Sequence, residues 1–273
     1  MRLQAFATQA AGFKGLSYFL YDVDDLPTDK WICGLMNRGG IPNSMYTAAQ
    51  SMNPELLNLG KSLRCLDSTD IRYVRGQWLT GFWNSVPGGL TNWSSGAGGI
   101  AEITAVAVAS GQLGVRKDGF IGFFNDDTGK KYFMLTNRYC GQSLTPAQSA
   151  LNFTVTFNSS VNQISRLNRT TGQQEPINLS NHVLNLNLPG GTGDLFCMTV
   201  GGFDLSAPTG SVTVNGNVLN LSASDDKGVT AMRFSSDRLT WTAWEPYATT
   251  KSWTVPAGGT VYVQFKYAVG SIS

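Results

Sequence analysis

Charged residues, histidine and long apolar runs are scarce in this 273-residue sequence. Only 14% of the residues are charged, and the formal net charge is +2 without any run of basic residues. Binding to nucleic acid or to an anionic membrane surface needs a basic patch or tail, so we predict neither partner. Gly, Ser or a charge interrupts every apolar stretch within about ten residues, which is too short to span a membrane as a helix.

Motifs for metal binding, redox chemistry and nucleotide binding are also missing. The four cysteines are widely spaced and form no C-x-x-C pair, which argues against a zinc or redox site but leaves one or two disulfides open. The single histidine, His182, has no ligand-type residues clustered around it, and we interpret it as a surface residue. The sequence contains no P-loop, G-x-G-x-x-G, H-E-x-x-H or G-x-S-x-G motif. We predict no metal site and no cofactor.

Glycine and small polar residues are plentiful instead. The sequence has 31 glycines and many Asn, Ser and Thr, while 42% of its residues are hydrophobic, which is enough for folded domains. This balance is typical of extracellular β-proteins, so we predict an extracellular parent protein. The N-terminus has no continuous apolar segment of the kind found in a signal peptide. We therefore expect that an N-terminal part of the parent protein is missing from this chain.

Hydrophobic periodicity divides the chain into three regions. Residues 1–70 hold the helical patterns, residues 71–205 alternate with turn signals about every ten residues, and residues 206–273 follow a linker with Pro and Gly. The second region predicts an antiparallel β-sandwich, and the third predicts a small immunoglobulin-like sandwich. The strands expected in these two regions are 71–74, 100–108, 119–124, 131–137, 151–157, 164–168, 182–188, 195–200, 211–214, 218–223, 231–235, 251–255 and 260–266.

The first region predicts one βα repeat with a helix before it. A helix is expected over residues 2–11, ended by Gly12, and the apolar run 15–21 fits a strand buried in a parallel sheet. A second helical pattern covers residues 44–66, with Pro54 in a first turn. One parallel strand needs neighbours, so this repeat is not a complete domain. The fold class that we predict is mainly β, two sandwiches preceded by a residual βα unit.

Several segments resemble parts of one enzyme family. RLQAFA (residues 2–7) followed by GFKGLSYFLY (12–21) resembles a helix that runs into a barrel strand. MNPELLNLG (52–60) resembles a final barrel helix with an N-x-E-L-x-x-L-G core. On these motifs residues 1–70 resemble the last βα unit of a (β/α)8-barrel, or TIM-barrel, glycoside hydrolase of the large retaining clan.

The later segments resemble the modules that follow such barrels. GFIGFF (119–124), KYFMLTN (131–137) and LPGGTGDLF (188–196) are similar to the family's β-sandwich domain. LSASDD (221–226), MRFS (232–235) and WTAWEPY (241–247) are similar to immunoglobulin-like modules of secreted bacterial enzymes. The resemblance implies the C-terminal portion of a bacterial enzyme that acts on polysaccharide. Because the clan's two catalytic glutamates precede the eighth barrel strand, it also implies that no residue here inherits either role.

Aromatic and acidic residues are the candidates for sugar binding, since an aromatic ring stacks its face on sugar C–H groups. In the first region we predict Tyr18, Tyr21 and Trp31 as stacking residues and Asp22, together with Tyr21, as a subsite residue. In the glycine-rich stretch 78–99 we predict Trp78, Trp83 and Trp93. A third aromatic group, 241–253, is expected to fill the core of the small sandwich.

Three hypotheses for function follow. The first is a truncated glycosidase, inactive on its own because its catalytic carboxylates are missing. The second is a carbohydrate-binding or surface-adhesion module, and the third is a small hydrolase with an unrecognised site. The expected partner is a polysaccharide or oligosaccharide. Leu16, Phe19 and Leu20 would be exposed on an orphan βα unit, so self-association through this barrel remnant is also predicted.

Overall fold

The computed structural model describes residues 1–18, 21, 34–37, 39–79, 81–108, 117–141, 143–225, 228–254 and 259–267. Its chain divides into two compact units. The first unit consists of Met1–Asn125 and Gly129–Phe203, and the second consists of Asp126–Thr128 and Asp204–Ser273. The predicted mainly β class is confirmed, because the described residues form many strands and two α-helices.

Two antiparallel sheets and two short ribbons build the described part of the first unit. Its elements are α1 Arg2–Ala10, β1 Met36–Asn37, β2 Ile41–Pro42, α2 Ser44–Leu63, β3 Asp67–Val74, β4 Gln77–Leu79, β5 Phe82–Trp83, β6 Ile103–Val108, β7 Gly119–Asn125, β8 Lys131–Asn137, β9 Leu151–Phe157, β10 Gln163–Leu167, β11 Gln174–Asn178, β12 Val183–Leu188 and β13 Gly193–Cys197, with a 3-10 turn at Ala97–Gly99. The larger sheet has the order β11-β10-β13-β8-β7-β3, the smaller has the order β12-β9-β6, and the ribbons are β1–β2 and β4–β5.

The core of the first unit lies between these two sheets. Strand β9 buries alternate residues, as expected when one face of a sheet is covered, and Phe153 and Val155 belong to its buried face. From the larger sheet, Phe133 and Phe196 enter the same core, with their rings stacked at a centroid distance of 4.9 Å. The β-sandwich predicted for this part of the chain is therefore confirmed.

Helix α1 packs on the opposite face of the larger sheet. It contacts β7, β8 and β13, and its Phe6 is fully buried. This cover explains why nearly every residue of β8 is buried, on both faces. The approach is close at Gly122, where an added Cβ would lie 1.9 Å from the carbonyl oxygen of Ala10. A glycine is needed there because no side chain fits.

Ion pairs join the two helices to the larger sheet. Glu55 of α2 pairs with Arg2 of α1 and, at 3.1 Å, with Arg169. Arg169 also pairs with Asp194 of β13, which lies 3.8 Å from the guanidinium of Arg166. Asp194 is nearly fully buried, so its charge depends on these arginines. The network ties residues from the first 70 positions to the sandwich.

Two predictions for the N-terminal region are wrong. The strand expected over 15–21 is absent from the described residues 15–18 and 21, where Leu16 is 44% exposed without a neighbouring strand to pair with. Pro54 lies inside α2 and not in its first turn. The helix begins at Ser44 because the Asn43 side chain caps it, accepting hydrogen bonds from the Met45 and Tyr46 backbone N–H groups.

The second unit is a small sandwich of two three-stranded antiparallel sheets, β14-β15-β18 and β17-β16-β19. Its strands are β14 Thr209–Asn215, β15 Val218–Ser224, β16 Val229–Ser235, β17 Glu245–Pro246, β18 Thr250–Ser252 and β19 Tyr262–Tyr267. The buried core consists of Leu219, Leu221, Met232, Phe234, Val261 and Phe265. Residues from both sheets contribute to this core, as expected for a sandwich.

Candidate functional site

The predicted sugar-binding residues near the N-terminus are only partly described. Tyr18 is half-buried, and its hydroxyl donates a hydrogen bond to Asn53 Oδ1 at 2.6 Å. Burial raises the pKa of Tyr18, and the bond to Asn53 opposes that shift. Tyr21 is 58% exposed, while Asp22 and Trp31 lie outside the described residues. The subsite of Tyr21 and Asp22 therefore stays a prediction.

The three tryptophans of the glycine-rich stretch differ in their surroundings. Trp93 is half-buried and packs against the core of the first unit. Trp78 lies in β4, and its side chain is outside the described part of the structure. Trp83 of β5 is 49% exposed. Among these three, Trp83 is the residue whose described ring is accessible to a ligand.

The ring of Trp83 stands on a short hairpin that is fixed at its base. Strands β4 and β5 pair around Gly81, which has a φ of +80° that favours glycine. At the base, the Asn84 N–H donates to the Gly76 carbonyl at 2.9 Å. Arg75 Nε donates to the Asn84 carbonyl at 2.8 Å, and its guanidinium carbon lies 6.0 Å from the centre of the Trp83 ring.

A buried aspartate holds this hairpin against the sheet. Asp118 is fully buried, and its Oδ1 accepts hydrogen bonds from Gly76 N–H at 2.8 Å and from Asn84 Nδ2 at 2.7 Å. Its Oδ2 lies 3.4 Å from Arg138 Nη1. A Cβ added at Gly76 would lie 1.8 Å from the Lys117 carbonyl oxygen, so the backbone must approach closely here. Asp118 is thus a positioning residue for the hairpin.

The topology of the larger sheet brings these residues together. Strand β3 ends at Val74, β7 begins at Gly119 and β8 ends at Asn137, and the three strands are adjacent and antiparallel. Their flanking side chains therefore meet at one end of the sheet. We name as the strand-end cluster the six residues Tyr73, Arg75, Trp83, Asn84, Asp118 and Arg138.

Tyr73 is the buried aromatic member of the strand-end cluster. The guanidinium carbon of Arg138 lies 5.9 Å from the centre of its ring. Burial, followed by the hydrogen bond and the negative charge of Asp118, raises the pKa of Tyr73 well above its ordinary value of 10.0. The phenol therefore stays protonated at neutral pH and acts as a hydrogen-bonding group.

Of this cluster, the sequence analysis identified only Trp83. Asp118 comes immediately before the predicted strand 119–124, and Arg138 comes immediately after the predicted strand 131–137. In the structure, β7 begins at Gly119 and β8 ends at Asn137, as predicted. A charged residue at the end of a buried strand was a usable signal. What the sequence does not contain is the order of strands that makes those two ends neighbours.

The aromatic residues of the second unit do not all fill its core. Tyr247 and Trp253 pack against it, as predicted, and the Trp253 ring lies 5.2 Å from that of Phe234. Trp241 and Trp244 differ from the prediction, since both are half-buried beside the guanidinium of Arg233. The loop that ends β16 carries these two rings to the outer side of the sheet.

The described part of the chain contains no cluster of metal-ligating side chains and no disulfide. No group of three or more His, Cys, Asp and Glu side chains is arranged there to hold a metal ion. No disulfide joins Cys65, Cys140 and Cys197. His182 is half-buried in a turn, with Nδ1 2.9 Å from the Val161 carbonyl oxygen. Among the described residues, no helix is both long and apolar enough for a membrane span.

Comparison with known proteins leaves the family open. No protein-family model matches the chain, and no curated protein sequence matches it. The resemblance to glycoside hydrolases therefore rests on the sequence motifs alone.

Proposed function

We propose that this chain binds polysaccharide without cleaving it, as the C-terminal part of a secreted bacterial glycoside hydrolase. The observation that carries the proposal is the exposed ring of Trp83 on an anchored hairpin. A flat, rigid ring offers apolar area to a sugar face at low cost in conformational entropy. The neighbouring Arg75 and Asn84 supply polar groups for the hydroxyls at the rim of a bound sugar.

The anchoring of the hairpin supports binding rather than a packing role for Trp83. A ring that only filled space would be buried, as Trp93 and Trp253 are in part. Here Asp118 and Gly76 fix the hairpin while the ring stays half exposed, which is the arrangement of a preformed binding surface. A preformed surface loses little freedom when ligand binds.

The non-catalytic part of the proposal rests on the carboxylates. Hydrolysis of a glycoside normally needs two carboxyl groups about 5–9 Å apart on either side of the scissile bond. The two most deeply buried carboxylates among the described residues, Asp118 and Asp194, are instead engaged with backbone N–H groups, Asn84 or arginines. The family resemblance also assigns neither of the clan's two catalytic glutamates to a residue of this sequence.

Affinity electrophoresis tests the proposal directly. The whole chain is run through gels that contain neutral glycans (uncharged cellulose derivatives, mannan, starch or β-glucan), and we expect one or more of them to retard it. Trp83→Ala should weaken binding to the retarding glycan about tenfold or more, which corresponds to about 1.4 kcal/mol.

A matched control separates ring stacking from general stickiness. Leu57 is an apolar residue on α2 that is even more exposed than Trp83, so Leu57→Ala should leave the retardation unchanged. Equal thermal unfolding of both variants would show that neither has lost its fold. Absence of retardation on every glycan, or retardation that survives Trp83→Ala, would overturn the proposal.

A further inference from the structure

The outer face of the sheet β17-β16-β19 carries side chains of a different kind from its core face. Along β16, Met232 and Phe234 point into the core, so Arg233 between them points outward. On β19, Gln264 is the register partner of Arg233, and its Oε1 accepts a hydrogen bond from Arg233 Nε at 2.8 Å. Tyr262 and Lys266 lie two residues to either side of Gln264, on the same face.

Three cations of this face each lie against an aromatic ring. The guanidinium carbon of Arg233 is 5.0 Å from the centre of Trp241 and 4.6 Å from the centre of Trp244. Lys266 Nζ is 5.9 Å from Trp244, and the Arg238 guanidinium is 4.2 Å from Tyr262. We name as the aromatic-basic face the residues Arg233, Arg238, Trp241, Trp244, Tyr262 and Lys266.

The charges of this face are not neutralised by nearby acids. Asp237 accepts hydrogen bonds from the Leu239 and Thr240 N–H groups and from Ser235, so its carboxylate stabilises the loop after β16. Glu245 pairs with Lys251 at 2.7 Å. Within the described residues, no ion pair joins a carboxylate to Arg233, Arg238 or Lys266. The face therefore presents a net positive charge.

The geometry of Arg233 fits recognition of an anion. Its Nε is bound to Gln264 and its plane lies near two indole rings, which limits the rotation of the guanidinium. Among the described residues, no hydrogen bond to either Nη atom is present, so these donors are available to a ligand. A fixed guanidinium of this kind binds a carboxylate through two parallel hydrogen bonds.

From these observations we propose that the aromatic-basic face binds an acidic polysaccharide, whose sugar rings stack on Trp241 and Trp244 while its carboxylates pair with Arg233 and Lys266. The inference rests on the proposed polysaccharide binding for the class of ligand, but it uses a surface other than Trp83. Rings alone would suit a neutral glycan, and cations alone would suit any anion. Their alternation matches a polymer that offers both a flat sugar face and a negative charge in each repeat.

Single-stranded nucleic acid is the other polymer that combines stacking with negative charge. Such binding normally uses a basic groove that follows many phosphates. This face has three cations, and the whole chain has a formal net charge of only +2. These observations favour the acidic glycan, and nucleic acid becomes an outcome of the test.

Titration calorimetry with polygalacturonate, alginate and hyaluronan provides the test. We expect binding to at least one of them, and binding to fully methyl-esterified polygalacturonate should be at least about tenfold weaker than to the free acid, because the ester removes the charge and keeps the sugar. Trp244→Ala and Arg233→Gln should each weaken binding to the acid about tenfold or more. Lys266→Gln, a milder change, should weaken it by a smaller factor.

Two controls make the result specific. Leu239→Ala changes an exposed apolar residue of the loop that carries Arg238 and Trp241 but removes none of the residues of the aromatic-basic face, so it should leave binding unchanged. Trp83→Ala should also leave acidic-glycan binding unchanged, so the two proposed surfaces can fail independently of each other. The inference would be overturned if the chain bound the acid and the ester equally, or if it bound none of the three acidic glycans. Binding only to oligodeoxythymidylate, the single-stranded nucleic acid probe, would also overturn it.

Discussion

The two units use arginine in opposite ways. In the first unit, Arg166 and Arg169 pair with Asp194, which is nearly fully buried in the larger sheet. In the second unit, Arg233 lies against two indole rings and has no ion pair among the described residues. A buried charge must be compensated, whereas a charge on a ring at the surface remains available to a ligand.

This contrast separates charged residues that stabilise the fold from charged residues that are available to bind a ligand. The first unit has a large core, and helix α1 covers one of its sheets. Its arginines Arg166 and Arg169 join the sheet to the helices through Asp194 and Glu55. Within the described part of the chain, the core of the second unit has six buried residues, and the cations Arg233, Arg238 and Lys266 lie outside that core. We infer that removing an arginine partner damages stability in the first unit and affects binding in the second.

The largest expected effect is at Asp194. Asp194→Ala leaves two arginines near a buried site without their shared carboxylate, and we expect the free energy of unfolding of the first unit to fall by about 3–5 kcal/mol. Arg233→Ala, in the second unit, should cost about 1 kcal/mol or less. Urea denaturation of the whole chain measures both. An equal loss in the free energy of unfolding for the two substitutions would contradict this difference between the units.

A smaller effect is expected where α1 approaches the sheet. Gly122→Ala places a Cβ against the Ala10 carbonyl oxygen and should destabilise the first unit by about 1–3 kcal/mol. Gly60, inside α2, has no atom within 4 Å of an added Cβ, so Gly60→Ala should stabilise by up to about 1 kcal/mol. The two shifts in urea midpoint should have opposite signs. A neutral Gly122→Ala would show that α1 does not dock on this sheet.

The smallest effect concerns pH and the loop that carries Arg238. Hydrogen bonds from Thr240 N–H, then Leu239 N–H and Ser235, lower the pKa of Asp237 from 3.8 to about 2. Because the folded pKa lies below the unfolded value, Asp237 stabilises the second unit above about pH 4, and this contribution is lost as the pH falls towards 2. Urea midpoints between pH 5 and 2 should therefore fall less for Asp237→Asn than for the unchanged chain. Parallel curves would contradict this assignment.

Strands that bury one face were predictable because alternation of apolar and polar residues is a local signal. Strands 131–137 and 151–157 have the predicted bounds. Strand β11, Gln174–Asn178, was not predicted, since it is polar, contains Pro176 and lies at the sheet edge, where a missing N–H is tolerated. The apolar run 15–21 was predicted as a strand from its sequence alone, but an apolar segment forms a strand only where a partner strand exists.

The candidate sites were harder to predict than the strands. Trp83 was predicted as a sugar-binding residue, but Asp118 and Arg138, which lie near its hairpin, come from the ends of other strands. Trp241 and Trp244 were expected in the core because small sandwiches often bury such rings. Their position beside Arg233 depends on a loop after β16, whose path no local pattern encodes.

In the proposed function, the chain binds polysaccharide and leaves its glycosidic bonds intact. Co-sedimentation with insoluble polysaccharides tests both halves when reducing ends are assayed in the same tubes. The account predicts that protein leaves the supernatant with at least one polysaccharide, that Trp83→Ala or Trp244→Ala lowers this loss, and that no new reducing ends appear. A supernatant that keeps its protein with every polysaccharide, or a steady release of reducing ends by purified chain, would contradict it.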